Sequence, residues 1–194
     1  MANDTRTRML EATALLIRQR GYHGTSLSDI LAASGAPRGS LYFHFPGGKD
    51  QLVIEVTRNS VAEVAERLEE RLATEKSPAA AIRAIFASVG EMLEKNDFAF
   101  GCPIAPVVLD ATTNVPELLE IARSAFERWI GLLQSSFAKA GVPEPRSRAL
   151  ALLVESSLEG LMVIARATRD RSILPVVADE LAAMADAAVA ANDG

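Results

Sequence analysis

Arg38, Ser40, Tyr42, His44 and Lys49 place five hydrogen-bonding side chains in one short stretch of the chain. A guanidinium or ammonium group binds phosphate oxygens, and a guanidinium also fits the O6 and N7 atoms of guanine. Hydroxyl and imidazole groups donate hydrogen bonds to the sugar–phosphate backbone, which fixes register rather than sequence. These residue types predict a nucleic-acid contact, in which Arg38 and Ser40 are suited to base edges.

Two small residues extend the same pattern. Gly39 has no side chain, so the backbone there can approach a duplex closely. Ser26, with Asp29 three residues later, resembles a capping box at the start of a helix, where free N–H groups can bind a phosphate. Each aromatic nearby also has a purely structural interpretation. Phe45 is better explained as a side chain of the hydrophobic core. The role of His44 could be limited to a favourable interaction with the helix dipole at a C-terminus.

Short helices must position these side chains. Apolar spacing predicts a helix over residues 5–20, ended by Gly21 in a left-handed conformation. A helix over 27–34 and another over 38–44 follow, separated by a turn at Gly35 to Pro37. Leu41 and Phe45 are predicted to face inward, and His23 is predicted to be a loop residue without a role. Two short helices joined by a tight turn are typical of a unit that fits its second helix into the DNA major groove.

The remainder of the chain has the apolar periodicity of longer helices. We predict helices over residues 50–74, 78–96, 114–140, 145–168 and from 172 to near the C-terminus, with Asn114 in the cap of the third. Residues 98–106 are predicted to form a loop and a short helix that are too apolar for an ordinary surface connector. The predicted fold class is all-α, with about nine helices.

Charge is divided unevenly along the 194 residues. The net charge is −5, yet residues 1–49 hold six basic and three acidic side chains, whereas the remainder holds fourteen basic and twenty-two acidic ones. A basic N-terminal segment on an otherwise acidic chain suits a protein that contacts phosphates through that segment only. The alternative is that this charge difference arises by chance in a short segment. One cysteine, no signal-peptide pattern and no long apolar run predict a cytoplasmic protein with no membrane contact.

The run from Thr25 to Phe45, and above all Gly39-Ser40-Leu41-Tyr42-Phe43-His44-Phe45, resembles the DNA-binding region of TetR-family repressors. The loop at residues 46–49, the segment 36–39 and the later Gly101-Cys102-Pro103-Ile104 are similar to the LmrA/YxaF-like branch. Pro37 departs from the family pattern, because it lacks the phosphate-binding hydroxyl that many members place there. The resemblance implies a DNA-binding domain over residues 1–49 and a helical ligand-binding and dimerisation domain over residues 50–194.

The resemblance further implies a homodimeric repressor of operator DNA that pairs through its last two helices and is released by a small hydrophobic or aromatic effector. Gly39 joins Arg38 and Ser40 as a base-reading position, and four residues hold the DNA backbone: Ser26, Tyr42, His44 and Lys49. The family pattern gives Tyr42 a phosphate-facing hydroxyl above a packed ring. Trp129 is the strongest single candidate for a ligand contact, since it combines a large apolar area with one N–H donor. The candidate effector-binding residues are Phe86, Phe100, Cys102, Ile104, Val107, Phe126, Trp129, Ile130, Leu133, Leu153, Ser157 and Met162.

Three alternatives stand beside this interpretation. Cys102 could be a redox sensor, but its apolar neighbours favour a buried structural cysteine. Glu155 and Glu159, four residues apart on one helix face, could belong to a carboxylate metalloenzyme, but both histidines lie outside that part of the chain. A protein partner could replace the small effector as the controlling input. We expect no enzymatic activity, no metal and no cofactor.

Overall fold

A computed structural model describes residues 2–111 and 115–191, and this part of the chain is all-helical. Its nine helices are α1 (Ala2–Arg20), α2 (Leu27–Ser34), α3 (Arg38–His44), α4 (Gly48–Thr74), α5 (Pro78–Lys95), α6 (Ala105–Ala111), α7 (Pro116–Lys139), α8 (Arg146–Thr168) and α9 (Ile173–Ala190). The all-α prediction is therefore confirmed.

The chain forms two compact units, each assembled from two segments. The first joins Met1–Glu63 to Cys102–Ala125, and the second joins Val64–Gly101 to Phe126–Gly194. Both α4 and α7 contribute residues to each unit. A functional boundary at residue 49 stays a prediction.

The core of the first unit is built mainly by its first four helices. It contains two buried clusters. The first consists of Met9, Leu16, Ile30, Ala36, Leu41, Phe45 and Leu52. The second adds residues from α6 and α7, and consists of Ile17, Tyr22, Val53, Val107, Val115 and Leu118. The short α2 and α3 are thus held by burial against α1 and α4, because helices of this length are not stable alone in water.

Most helix ends agree with the predicted ones, and the differences have local causes. The helix α4 begins at Gly48 rather than at residue 50, and Gly48 N–H donates to the Phe45 carbonyl at 2.9 Å. The helix α6 covers 105–111, later than predicted, because Pro106 falls in its first turn, where a missing N–H has no partner to lose. The predicted cap residue Asn114 lies outside the described residues.

The second unit is organised around α5, α8 and α9. The helix α5 packs mainly against α9, and α8 contacts both of them. Small side chains are frequent at the buried positions of α5 and α9, and they let the helix axes approach closely. They include Ala79, Ala81, Gly90, Ala178, Ala182 and Ala185. In the described part of the chain, no helix is long and apolar enough to cross a membrane.

Candidate nucleic-acid interface

The start of α2 is fixed by a complete capping box. The Ser26 hydroxyl accepts a hydrogen bond from Asp29 N–H at 3.1 Å and donates to the Asp29 carboxylate at 2.6 Å. Ser26 N–H donates to the same carboxylate at 2.9 Å. These bonds from Ser26 hold the pKa of Asp29 below its ordinary value, and Arg20 adds a weaker pull in the same direction. The predicted capping box is therefore confirmed. The hydroxyl of Ser26, a predicted phosphate contact, already forms hydrogen bonds with two groups of Asp29.

The turn between α2 and α3 is tied to α1. Gly35 caps α2 in the left-handed region at φ +61°, which few side chains tolerate. The Arg8 guanidinium donates to the Ser34 carbonyl at 3.0 Å, which satisfies a carbonyl in the last turn of α2. Pro37 precedes α3 with no side-chain cap. The turn therefore holds α3 in a fixed direction relative to α1 and α2.

The helix α3 buries one side and exposes the other. Leu41 is 1% exposed, and Phe45, directly after the helix, is completely buried. The inward positions of both residues were predicted. Of the predicted DNA-binding residues on this helix, Arg38, Gly39 and Tyr42 are exposed, and Ser40 and His44 are half-buried. The structure thus brings these five residues together on one short helix.

The structure also places two unpredicted features on this surface. Tyr42 is 59% exposed, so its ring is less covered than the family pattern implies. Phe43 is 77% exposed and lies edge-on to the His44 ring, with 4.9 Å between the ring centroids. Phe43 was missed because it has no hydrogen-bonding group. Its spacing of two residues from buried Leu41 was the available sign that it faces outward.

Lys49, a predicted DNA-backbone contact, is anchored within the protein. Its ammonium lies 3.9 Å from the centroid of the Tyr22 ring, a cation–π contact. Burial lowers the pKa of Lys49, while the carboxylates of Asp50 and Asp110 act in the opposite direction. Burial, together with its hydrogen bond to Asp50, raises the pKa of Tyr22 to about 12. These contacts join the α1–α2 turn to the start of α4.

A second contact at this turn comes from α6. His23 N–H donates to the Asp110 carboxylate at 2.5 Å, and the His23 Nε2 atom lies 3.9 Å from the other carboxylate oxygen. The described contact gives His23 a main-chain role, although the sequence predicted none. No local pattern points to it, because 87 residues separate the two partners.

Comparison with known proteins places this geometry in a family. A profile described as "Bacterial regulatory proteins, tetR family" matches residues 9–56. A second profile, "Transcriptional regulator LmrA/YxaF-like, C-terminal domain", matches residues 78–180. The chain belongs to the TetR family. It is a DNA-binding transcriptional regulator of the LmrA/YxaF-like branch, as its sequence predicted.

Individual relatives extend over nearly the whole chain. An uncharacterized HTH-type transcriptional regulator of Mycobacterium tuberculosis is 37% identical over 181 residues, which is 91% of each protein. The HTH-type transcriptional regulator LmrA of Bacillus subtilis is 27% identical and covers 88% of this chain and 91% of its own. The crystal structure of a TetR transcriptional regulator from Chloroflexus aurantiacus matches with a TM-score of 0.81 at 28% identity, covering 94% of both chains.

The predicted effector-binding residues of this TetR-family regulator are divided between the two units. Cys102, Ile104 and Val107 lie in the first unit, and the others lie in the second. Seven of them, besides Trp129, are buried, and Phe126, Ile130 and Ser157 are half-buried. Leu153 is 39% exposed on the surface of α8. Their role stays a prediction.

Trp129 has an unsatisfied polar atom. Its ring is 2% exposed and contacts the Phe126 ring edge-on, with 5.5 Å between the centroids. The buried Nε1–H group forms no hydrogen bond with any described residue. An unpaired buried donor is unfavourable, so an acceptor from another molecule would stabilise it.

The second unit has further features outside the predicted effector-binding residues. A surface cavity of about 300 Å³ is lined by Pro143, Arg146, Ala187, Ala188 and Ala191, none of which was a candidate. Burial, with a smaller contribution from the like charge of Glu159, raises the pKa of Glu155 to about 7. In the first unit, Cys102 is buried, as predicted. The described residues contain no group of three or more His, Cys, Asp or Glu side chains that could hold a metal ion.

Proposed function

We propose that this regulator binds operator DNA by inserting α3 into the major groove. Arg38, Gly39 and Ser40 face the base edges in this arrangement. The backbone is held by Ser26, Tyr42, His44 and Lys49. The observation that carries the proposal is α3 itself, which exposes a face with hydrogen-bond donors and is fixed from behind by Leu41 and Phe45. We further propose that the protein acts in the cytoplasm, where its DNA is.

A dimer through α8 and α9 is part of the same proposal. Leu152 and Leu153 are exposed on α8, and Val163 and Ile164 repeat them eleven residues later, three helical turns along the same face. Val176 on α9 is 66% exposed. This apolar surface is suited to a second copy of the chain. Two copies also supply the pair of recognition helices that successive major grooves need, roughly 34 Å apart.

We infer that the regulator is a repressor released from DNA by a small hydrophobic or aromatic effector. Because the Nε1–H of Trp129 is unpaired, we further infer that this effector carries a hydrogen-bond acceptor, such as a carbonyl, phenolate or ring oxygen. The dimer has a form that fits the operator and a form in which the two α3 helices are wrongly spaced for it. A ligand that binds the second form more tightly shifts the population away from DNA. The predicted contact residues and the domain boundary at residue 49 belong to this proposal.

DNA binding is tested with a duplex selected from a random-sequence pool by the purified protein. We expect fluorescence anisotropy to show tight binding whose affinity falls steeply with salt, since phosphate contacts release counterions. We expect no comparable binding to a shuffled duplex. Failure to enrich any sequence would contradict the proposed function.

The effector is sought by release of that duplex with a panel of aromatic carbonyl compounds, phenols and aromatic cations. Trp129 is the only tryptophan of the chain, so a bound effector should change the intrinsic fluorescence. Trp129→Phe keeps an aromatic ring and removes the N–H, and we expect it to weaken release by an acceptor-bearing compound but not DNA binding. If no compound released the DNA, control by a protein partner would replace the effector model.

A further inference from the structure

The outermost point of α3 is apolar. At about 100° per residue, Gly39 and Phe43 each lie about 160° from buried Leu41, four residues apart on the side opposite the core. They are both exposed, and Phe43 is the more exposed of the two aromatic side chains there, at 77% against 59% for Tyr42. A helix inserted in a groove presents this side to the base edges, so Phe43 cannot be a bystander in the proposed complex.

No contact or backbone angle within the described structure requires glycine at position 39. Its backbone is helical, and a Cβ built on it would meet no atom within 4 Å among the described residues. Glycine in a helix is less favourable than alanine, so a free position of this kind is better filled by alanine. The open space at Gly39 therefore points to something outside the chain that must come close.

Phe43 borders the same space one turn later. Side chains on a helix lean toward its N-terminus, so Phe43 leans toward the turn that contains Gly39, and none of its side-chain atoms lies within 4 Å of a Cβ built at Gly39. The edge contact with His44 restrains the ring, so less rotamer freedom is lost when it meets a partner. We call the open space at Gly39, beside Phe43 on the same exposed side of α3, the apolar notch.

We propose that this notch reads the 5-methyl group of thymine in the major groove. Thymine is the one base that presents a methyl group there, and an apolar contact with a side chain such as phenylalanine is a known means of recognising it. Phenylalanine can offer no hydrogen bond to a base edge or a phosphate, which leaves apolar contact as its contribution. This inference rests on the proposed DNA binding by α3 and adds a specificity determinant to it.

The test replaces thymine with uracil, which removes only the methyl group. Each thymine of the selected duplex is replaced in turn, at the equivalent positions of both half-sites. Burying one methyl corresponds to about a fourfold change in affinity, so the wild-type protein should lose about fourfold per half-site and about fifteenfold for both at one thymine position. Phe43→Ala should bind the thymine duplex with a similar loss and should not distinguish thymine from uracil at that position.

Two further variants separate this contact from stability and general binding. Gly39→Ala places a methyl in the notch, so it should abolish the thymine preference while the thermal midpoint of unfolding stays equal or rises. Leu109→Ala truncates another exposed apolar side chain, 86% exposed on α6, and should leave the preference unchanged. Phe43 is also exposed, so circular dichroism should show Phe43→Ala folded with an unchanged midpoint.

Several results would overturn the inference. They are a wild-type protein that tolerates uracil at every thymine, a selected operator without thymine in its half-sites, and a Phe43→Ala variant that keeps the full preference. Each of these leaves tight operator binding intact, so the proposed function would survive. Absence of sequence-selective binding by the wild-type protein would overturn both together.

Discussion

Arg38 and Glu155 are charged residues with opposite surroundings. Arg38 is exposed at the first position of α3, and it forms no ion pair with any described residue. Glu155 is 9% exposed in the middle of α8, and Glu159, whose charge contributes to its raised pKa, has the same sign. Arg38 is therefore free to bind a partner, whereas Glu155 affects the stability of the folded protein.

Arg38→Ala should weaken operator binding and relax its specificity. Loss of a guanidinium bound to a guanine edge corresponds to about 1–3 kcal/mol, or roughly 5- to 150-fold in affinity. Anisotropy titrations should show a smaller penalty for one base substitution in each half-site than the wild-type protein shows. Arg71→Ala on α4 makes the same charge change at another exposed position, and we expect it to have little effect. Equal weakening toward every sequence would assign Arg38 to the phosphates instead.

Glu155→Gln should change how stability depends on pH. The folded-state pKa is about 7, above the ordinary 4.5, so the folded protein keeps a proton that the unfolded chain releases between these values. The free energy of unfolding should therefore fall as pH rises through this window, by up to about 3 kcal/mol. Glu155→Gln should remove this decrease in urea titrations at pH 5 and pH 8, performed at one protein concentration.

Two matched variants identify the cause of that decrease. Glu159→Gln removes the neighbouring like charge and should make the pH slope smaller without abolishing it, because burial contributes more than Glu159 does. Glu180→Gln, exposed on α9, should leave the slope unchanged. A Glu155→Gln variant that destabilises the protein equally at both pH values would contradict the assignment.

At the scale of the element, α2 depends on its cap more than a long helix would. It has only eight residues, and its buried residues are Ile30 and Ser34. The hydrogen bonds between Ser26 and Asp29 satisfy N–H groups that would otherwise be left without helical partners. The cap therefore adds to the burial that holds α2 in place.

Ser26→Ala should lower the free energy of unfolding by about 1 kcal/mol, the usual contribution of such a cap. Ser28→Ala, an exposed change inside the same helix, is the control and should have a smaller effect. Chemical unfolding followed by circular dichroism measures both. Equal stability of the Ser26→Ala protein and the wild type would show that the cap is redundant.

The helix ends were predictable where the sequence contains residues that typically start or stop a helix. Ser26 begins α2 and Gly35 ends it, so the predicted range of 27–34 agrees with the structure. The same holds for α3, which Pro37 precedes. The position of α6 was less accessible, since Pro106 inside an apolar segment is equally compatible with a loop and with the first turn of a helix.

The candidate site was predictable only as far as residue type allowed. Hydrogen-bonding side chains on α3 could be recognised from the sequence, and so could the inward positions of Leu41 and Phe45. Phe43 was missed because it has no hydrogen-bonding group, the feature by which the other residues of α3 were recognised. The contact of Asp110 with His23 depends on tertiary packing, which periodicity along the chain does not reveal.

At the scale of the whole molecule, the N-terminal quarter holds few acidic residues and therefore has a net positive charge, whereas the remainder has a net negative charge. This charge difference favours approach to DNA through the N-terminal residues. One end of one chain can reach a single half-site, so tight operator binding should require two copies of the chain.

Substitution of Val163 and Val176 with Glu should abolish the dimer. Both side chains are exposed and apolar, and a charge buried at an interface without a partner is strongly unfavourable. Analytical ultracentrifugation should show a monomer for the double variant, and operator affinity should fall by at least tenfold. Leu109→Glu introduces a charge at another exposed apolar site and should stay dimeric. A double variant that remains a dimer would place the interface elsewhere.

The contact between Asp110 and the α1–α2 turn has a consequence for how this protein evolves. Asp110 accepts its hydrogen bond from the main chain of His23, which every residue except proline can provide. A Cβ on neighbouring Gly21 would lie 2.8 Å from the Asp110 carboxylate, and Gly21 has a φ of +73°. Natural selection should therefore hold positions 21 and 110 while position 23 drifts, so that an alignment of orthologues would show variation at the very residue that makes the contact.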